Sequence, residues 1–228
     1  MVQATFGTER RTTVDDVFDH LHEQIVTLAL KPGDRISEAE VAAQFGVSRQ
    51  PVRDAFSRLA NLDLLLIRPQ RATEVRQFSI RQIEKARFVR ACIEKEVVRR
   101  AADRCDGTGS AQLEAALLLQ GAAVESGDVT AFSALDFEFH KTICGIAGTD
   151  YAFEVIQQEK AKIDRLCILG RDKEQRLPDL LDDHRAIAEA IKAHDVDAAI
   201  AACTVHLSRL DQTIERILAS NSNYFERT

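Results

Sequence analysis

The chain has 228 residues, 45% apolar and 29% charged, with a net charge of −6, ten glycines and four prolines, a composition that supports one large or two modest domains and leans to helix. Its five cysteines (Cys92, Cys105, Cys144, Cys167 and Cys203) include no Cys-x-x-Cys pair, which argues against a zinc ribbon or disulfide scaffold and for a reducing cytosol. No apolar run approaches the roughly 18 residues of a membrane span, and the polar start "MVQATFGTERRTT" has no signal-peptide core, so the expected location is cytoplasmic.

From Thr13 to Leu30, Val17, Leu21, Ile25 and Leu28 recur at helical spacing, and "KPGDR" ends the helix. Ser37-Glu38-Ala39-Glu40 has the Ser-x-x-Glu form of a capping box and predicts a short helix through Phe45. Gly46 permits a tight turn, and Ser48 is expected to cap a further helix, "SRQPVRDAFSRLAN", with Pro51 tolerated in its first turn. The run "LLLIRPQRATEV" predicts a β-hairpin. Beyond Ser79 every long segment is helical in period, with helices expected near 79–105, 110–125, 128–146, 150–171, 176–194 and 196–220. The expected fold is mainly α: a winged helix-turn-helix over residues 1–76, then an all-α antiparallel bundle over residues 77–228.

Net charge does not advertise nucleic-acid binding, but averages hide patches. Between Gln44 and Arg76, Arg49, Arg53, Arg58, Arg68, Arg71 and Arg76 stand against Asp54, Asp63 and Glu74. Arg49 and Arg53 share one face of the expected recognition helix, while Val52, Phe56 and Leu59 turn inward. Guanidinium forks suit guanine edges and phosphates. Ser48 and Gln50 add polar contacts, and Arg71 falls at the hairpin tip. Any one arginine alone would suit a solvated helix face; the combined pattern is more specific. "LKPGDRISEAEVAAQFGVSRQPVRDAFSRL" followed by "IRPQRATEV" resembles the winged-helix domain of GntR-type bacterial transcription regulators over about residues 13–76. Asp63 and Ala72 depart from that family, which usually has glycine at both places; Asp tolerates left-handed backbone, Ala does not.

In the first bundle helix Ile83, Ala86, Arg90, Ile93, Val97 and Ala101 form a stripe, so Arg90 falls among apolar neighbours and needs a partner. Glu94 one turn on is one partner; an anionic ligand is the other, and spacing alone leaves both open. Asp136 and His140, in "LDFEFHKTI", share a face at i,i+4. His184 and His206 lie on apolar stripes, eleven residues before and eleven after Asp195 in the break "HDVD". In an antiparallel hairpin they face each other about 16 Å from the turn. Three imidazoles and a carboxylate suit zinc, nickel or manganese; independent core histidines are the competing reading. His20, His22 and His194 receive no role. A metal-dependent hydrolase or oxygenase on a helical bundle is the alternative function, weakened because Glu138 sits opposite Asp136 and no general base is evident.

"DFEFHKTI", with His184 and His206 downstream, resembles the FCD ligand-binding domain of FadR-like GntR regulators over about residues 80–220. The resemblance implies a divalent metal held by Asp136, His140, His184 and His206, and a small carboxylate effector held in part by Arg90 in "FVRACIE". It also implies a homodimer on double-stranded operator DNA, acting as a repressor more often than not.

Overall fold

In the computed structural model, which describes residues 12–167 and 173–226, helix α1 (Thr13–Val26) opens on a reciprocal cap. Thr12 Oγ1 accepts from the Asp15 N–H at 3.3 Å, and the Thr12 N–H donates to Asp15 Oδ2 at 3.0 Å, so these donors do not go unpaired. There follow β1 (Arg35–Ile36), α2 (Glu38–Phe45), α3 (Arg49–Asn61), β2 (Leu65–Leu66) and β3 (Thr73–Val75). The strands form one antiparallel sheet in the order β1-β3-β2, with Ile36 opposite Thr73 and Leu65 opposite Val75. Two residues of β1 are too few to show an alternating pattern, so that strand was not expected. Val17, Leu21, Ile25, Val52, Phe56, Leu59 and Leu65 from the helices and β2 are each at most 3% exposed and make the core.

Two local expectations fail. Ser37 and Ser48 occupy the N-cap positions of α2 and α3 in extended backbone, but neither side chain bonds its helix, so no capping box forms at Ser37–Glu40. Glu38 in that first turn instead meets Arg53 at 3.2 Å. In the hairpin region Asp63 takes the left-handed backbone (φ 58°) that glycine would, as its tolerance allows. Ala72 does not, because Gln70 (φ 58°) makes the left-handed turn.

The helical part comprises α4 (Ile80–Arg104), α5 (Gly107–Ser126), α6 (Val129–Ile146), α7 (Asp150–Cys167), α8 (Lys173–Lys192) and α9 (Val196–Ser220). The last residues expected in α7, 168–171, lie outside the described residues. Asp106, Asp128 and Asp195 cap α5, α6 and α9 by accepting the N–H of Gly109, Ala131 and Ala198 at 2.8–2.9 Å. Gly127 ends α5 in left-handed backbone (φ 67°), which lets α6 turn back on it. α4 packs on α6, α7, α8 and α9, and α5 packs on α6 and α8. Phe139, Leu113, Ile187 and Ile191 are at most 1% exposed in the core they share. Truncating such a residue to Ala costs about 2–5 kcal/mol.

One contact sets the height of the α8–α9 hairpin. His194, in left-handed backbone (φ 56°), donates from Nδ1 to the Ala102 carbonyl of α4 at 2.7 Å. The described chain divides into two compact units, one reaching as far as Phe78 and including the segment from Asn223, the other Ser79–Ser222. Within the first, the C-terminal segment pairs with Phe78: the Phe78 N–H donates to Tyr224 O and the Glu226 N–H to Phe78 O, both at 2.8 Å. Among the described residues no helix is long and apolar enough to cross a membrane.

Candidate metal centre and DNA-binding surface

α6 carries Asp136 and His140 one turn apart, α8 carries His184 and α9 carries His206, and one donor atom from each falls within 4.8 Å of all the others. The two histidines placed symmetrically about Asp195 have ring centroids 4.7 Å apart. His184 Nε2 lies 3.4 Å and His140 Nε2 3.7 Å from Asp136 Oδ1. Phe139 stacks on the His184 ring at 4.4 Å and fixes its plane.

The outer side of each imidazole faces an oxygen. His184 Nδ1 is 2.8 Å from Gln120 Oε1, and Gln120 spends its amide N–H on the Leu135 carbonyl at 3.2 Å. That fixes Gln120 Oε1 as the acceptor, so His184 carries its proton on Nδ1 and leaves the Nε2 lone pair for the nest. His140 Nδ1 is 3.4 Å from Glu94 Oε2, and His206 Nδ1 is 3.8 Å from Asp183 Oδ2. His140 Nε2 and His184 Nε2 are buried with no hydrogen-bond partner among the described residues. Buried polar nitrogens are rarely left so. The set of three imidazoles and one carboxylate with orphaned inward nitrogens fits a divalent ion.

Protonation agrees with this chemistry. Burial lowers the pKa of His140, and burial together with the charge of His206 lowers that of His184, so both rings are neutral and can donate lone pairs at neutral pH. Burial pushes the Asp136 carboxyl up, but His140, Lys160, His184 and His206 outweigh it and bring the pKa to about 2. With the His140 and His184 rings neutral, Lys160 Nζ, 3.7 Å from Asp136 Oδ2, still brings a positive charge to the carboxylate.

A cavity of about 360 Å³ adjoins the nest, with Arg90, Asp136, His140, Lys160, Arg176 and His206 among its lining. Arg90 has the Glu94 partner and also lines the cavity. Its Nε donates to Glu94 Oε1 at 2.8 Å, which answers the burial of a residue only 8% exposed, and it still faces the cavity. Sequence reasoning missed Gln120, Asp183, Lys160, Arg176 and Arg209. Gln120 did leave a signal, as it stands seven residues after buried Leu113 and three before buried Ala123, an inward position occupied by an amide.

The arginines of the first unit sort into two groups. Arg58 bonds Asp15 on α1 at 2.8 Å and lies 4.2 Å over the Phe18 ring, Arg68 bonds Glu74 at 2.7 Å, and Arg76 bonds Asp63 at 3.0 Å. These tie the fold together. Arg49, at the start of α3, and Arg71, in the β2–β3 turn, are exposed and form no ion pair among the described residues. Arg53 is exposed and, among the described residues, pairs with Glu38, while Ser48 and Gln50 are exposed beside it, with Gln50 Nε2 donating to Asp54 at 2.9 Å. The side chains expected to face DNA therefore remain on the outer surface of α3 and the hairpin.

Comparison with known proteins finds two separate matches along the chain. Residues 13–75 match the bacterial regulatory proteins of the gntR family, and residues 86–209 match the FCD domain. The chain is 36% identical over 209 residues to the HTH-type transcriptional repressor RspR of Escherichia coli K12, covering 92% of each. It is 30% identical over 209 residues to a probable D-xylose utilization operon transcriptional repressor of Paenarthrobacter nicotinovorans, covering 91% of each. Among solved structures it superposes on E. coli McbR/YncC with a TM-score of 0.65 at 22% identity, covering 91% of this chain and 99% of that one, a likeness of fold.

Proposed function

The chain belongs to the GntR family of bacterial transcription regulators and carries an FCD domain, and from that premise we propose that it represses from an operator and is released by a small organic acid bound at a metal centre. In this reading residues 1–76 bind DNA and residues 77–228 sense and dimerise. Asp136, His140, His184 and His206 hold a zinc, nickel or manganese ion, and Arg90 holds the acid. The convergence of four donors with unpartnered inward nitrogens on a cavity that Arg90 also lines carries the proposal. An ion held there supplies a fixed positive charge for a carboxylate. Around it, Gln120 orients the His184 imidazole by a hydrogen bond, Glu94 and Asp183 set a carboxylate beside His140 and His206, and Arg90 brings a guanidinium fork that matches a carboxylate in shape and charge.

On the DNA side, Arg49 and Arg53 on α3 are offered to base edges or phosphates, with Ser48 and Gln50 nearby and Arg71 at the wing. Because neither Ser48 nor an acidic side chain occupies the first turn of α3, its N–H groups are open to a phosphate. One recognition helix per chain calls for a homodimer on a two-fold site. The acid changes operator affinity only to the extent that it binds the DNA-competent and incompetent states differently. Two similar proteins are named repressors, which supports the sign. A cytoplasmic location follows from this role. The hydrolase or oxygenase alternative falls with the family assignment, and Glu138, on the face opposite Asp136, is exposed.

The test is operator retention by the full-length protein with and without carboxylates. A carboxylate should weaken operator binding at least about tenfold when metal is loaded, and should do nothing after chelation or in Arg90→Ala. Release that persists without metal would overturn the sensing site.

A further inference from the structure

The cavity beside the nest holds more positive charge than one carboxylate neutralises. Four cations line it, Arg90, Lys160, Arg176 and Arg209, against one carboxylate, Asp136. Three of them already have counter-charges. Arg90 bonds Glu94 at 2.8 Å, Arg209 grips both oxygens of Asp183 at 3.1 and 3.0 Å, and Lys160 sits 3.7 Å from Asp136. Arg176 is the exception: it is half-buried in the cavity wall and forms no ion pair among the described residues. It also stands near the N-terminus of α8, where the helix dipole opposes a cation. A guanidinium placed there against the dipole, facing a partly enclosed cavity, wants an anion.

Its position says how far away that anion sits. Arg176 precedes His184 by eight residues on the same helix, about 12 Å along the axis. Leu177 and Leu180 line the cavity between those levels, with Phe132 of α6. The cavity therefore runs from Arg176 to the nest along a wall that includes these apolar side chains, with Arg209 already paired beside them. Arg209 also lies 3.7 Å from Asp179, so a divalent ion and Arg176 leave two positive charges once the paired groups are set against each other, and one carboxylate at the ion would still leave Arg176 without a counter-charge.

We propose that the effector is a small acid with two separated carboxylates, the second held by Arg176. This rests on the sensing reading above, in which the first carboxylate meets the ion and Arg90. It goes further by naming the ligand class and the residue that selects it.

The experiment is calorimetric titration of metal-loaded, full-length protein with matched acids of four, five and six carbons: 2-hydroxybutanoate against malate, and their longer homologues. At one or more lengths the diacid should bind at least about tenfold tighter than its monoacid. Arg176→Gln should remove that advantage and leave monoacid affinity and metal content unchanged, and Arg176→Lys should restore part of it. Equal binding of diacid and monoacid at every length, or an advantage that survives Arg176→Gln, overturns the second carboxylate subsite alone. If no acid of either kind binds, the sensing reading fails and this one with it.

Discussion

The arginines proposed to meet DNA stand on the surface of the first unit, whereas Arg90, Glu94, Asp183, His184 and His206 of the bundle are each less than a tenth exposed. Surface charges contribute little to folding, so Arg49, Arg53 and Arg71 can be placed for a partner with little loss of stability. Burying polar groups is costly, so the bundle sets carboxylates against its arginines and imidazoles, while His140 Nε2 and His184 Nε2 stay without a hydrogen-bond partner among the described residues. The Arg90–Glu94–His140 and Arg209–Asp183–His206 chains both run from the cavity to an imidazole through a carboxylate. Recognition in the first unit is added to a fold that does not need it, while in the bundle it is part of what packs the helices.

Mutations can separate the two designs. The largest effect is expected from His184→Ala, which removes a donor that is 0% exposed. Metal affinity should fall by more than about a hundredfold, and elemental analysis should go from about one divalent ion per chain to none. Full retention of metal would break the four-donor assignment. Gln120→Leu touches no ion and yet should weaken metal binding about ten- to a hundredfold by freeing the His184 tautomer. A competition titration with a chelator reads this, and unchanged affinity would make Gln120 a packing residue only.

In the first unit the contrast lies between two arginines of α3. Arg49→Ala should reduce operator affinity by about 1–3 kcal/mol while leaving the melting temperature alone. Arg58→Ala should do the reverse. It loses the Asp15 ion pair and the Phe18 stacking, so the melting temperature should fall slightly while operator affinity stays. If the two variants behave alike in both binding and melting, the sorting of arginines by partner is wrong. The smallest effect concerns the turn before β3. Gln70→Gly should stabilise by about half a kcal/mol, relief of left-handed strain exceeding the entropy cost of glycine, and Ala72→Gly should not. Denaturant midpoints at equal slope would show the difference.

Helical periodicity made the helices and the winged helix-turn-helix legible, since Val52, Phe56 and Leu59 announce an inward face wherever α3 finally packs. The i,i+4 spacing put Asp136 with His140, and the break at Asp195 placed His184 level with His206, because a hairpin's geometry follows from its turn. Two-residue β1 was too short to read, and the left-handed turn moved from Ala72 to Gln70. Only the tertiary structure separated Arg58 from Arg49, since the partner Asp15 lies 43 residues away. It alone brought Gln120 of α5 to His184 of α8, and set Arg176 on the same cavity as Arg90. Sequence periodicity determines which way a side chain faces on its own helix. Which inward faces then meet depends on how helices cross and pack.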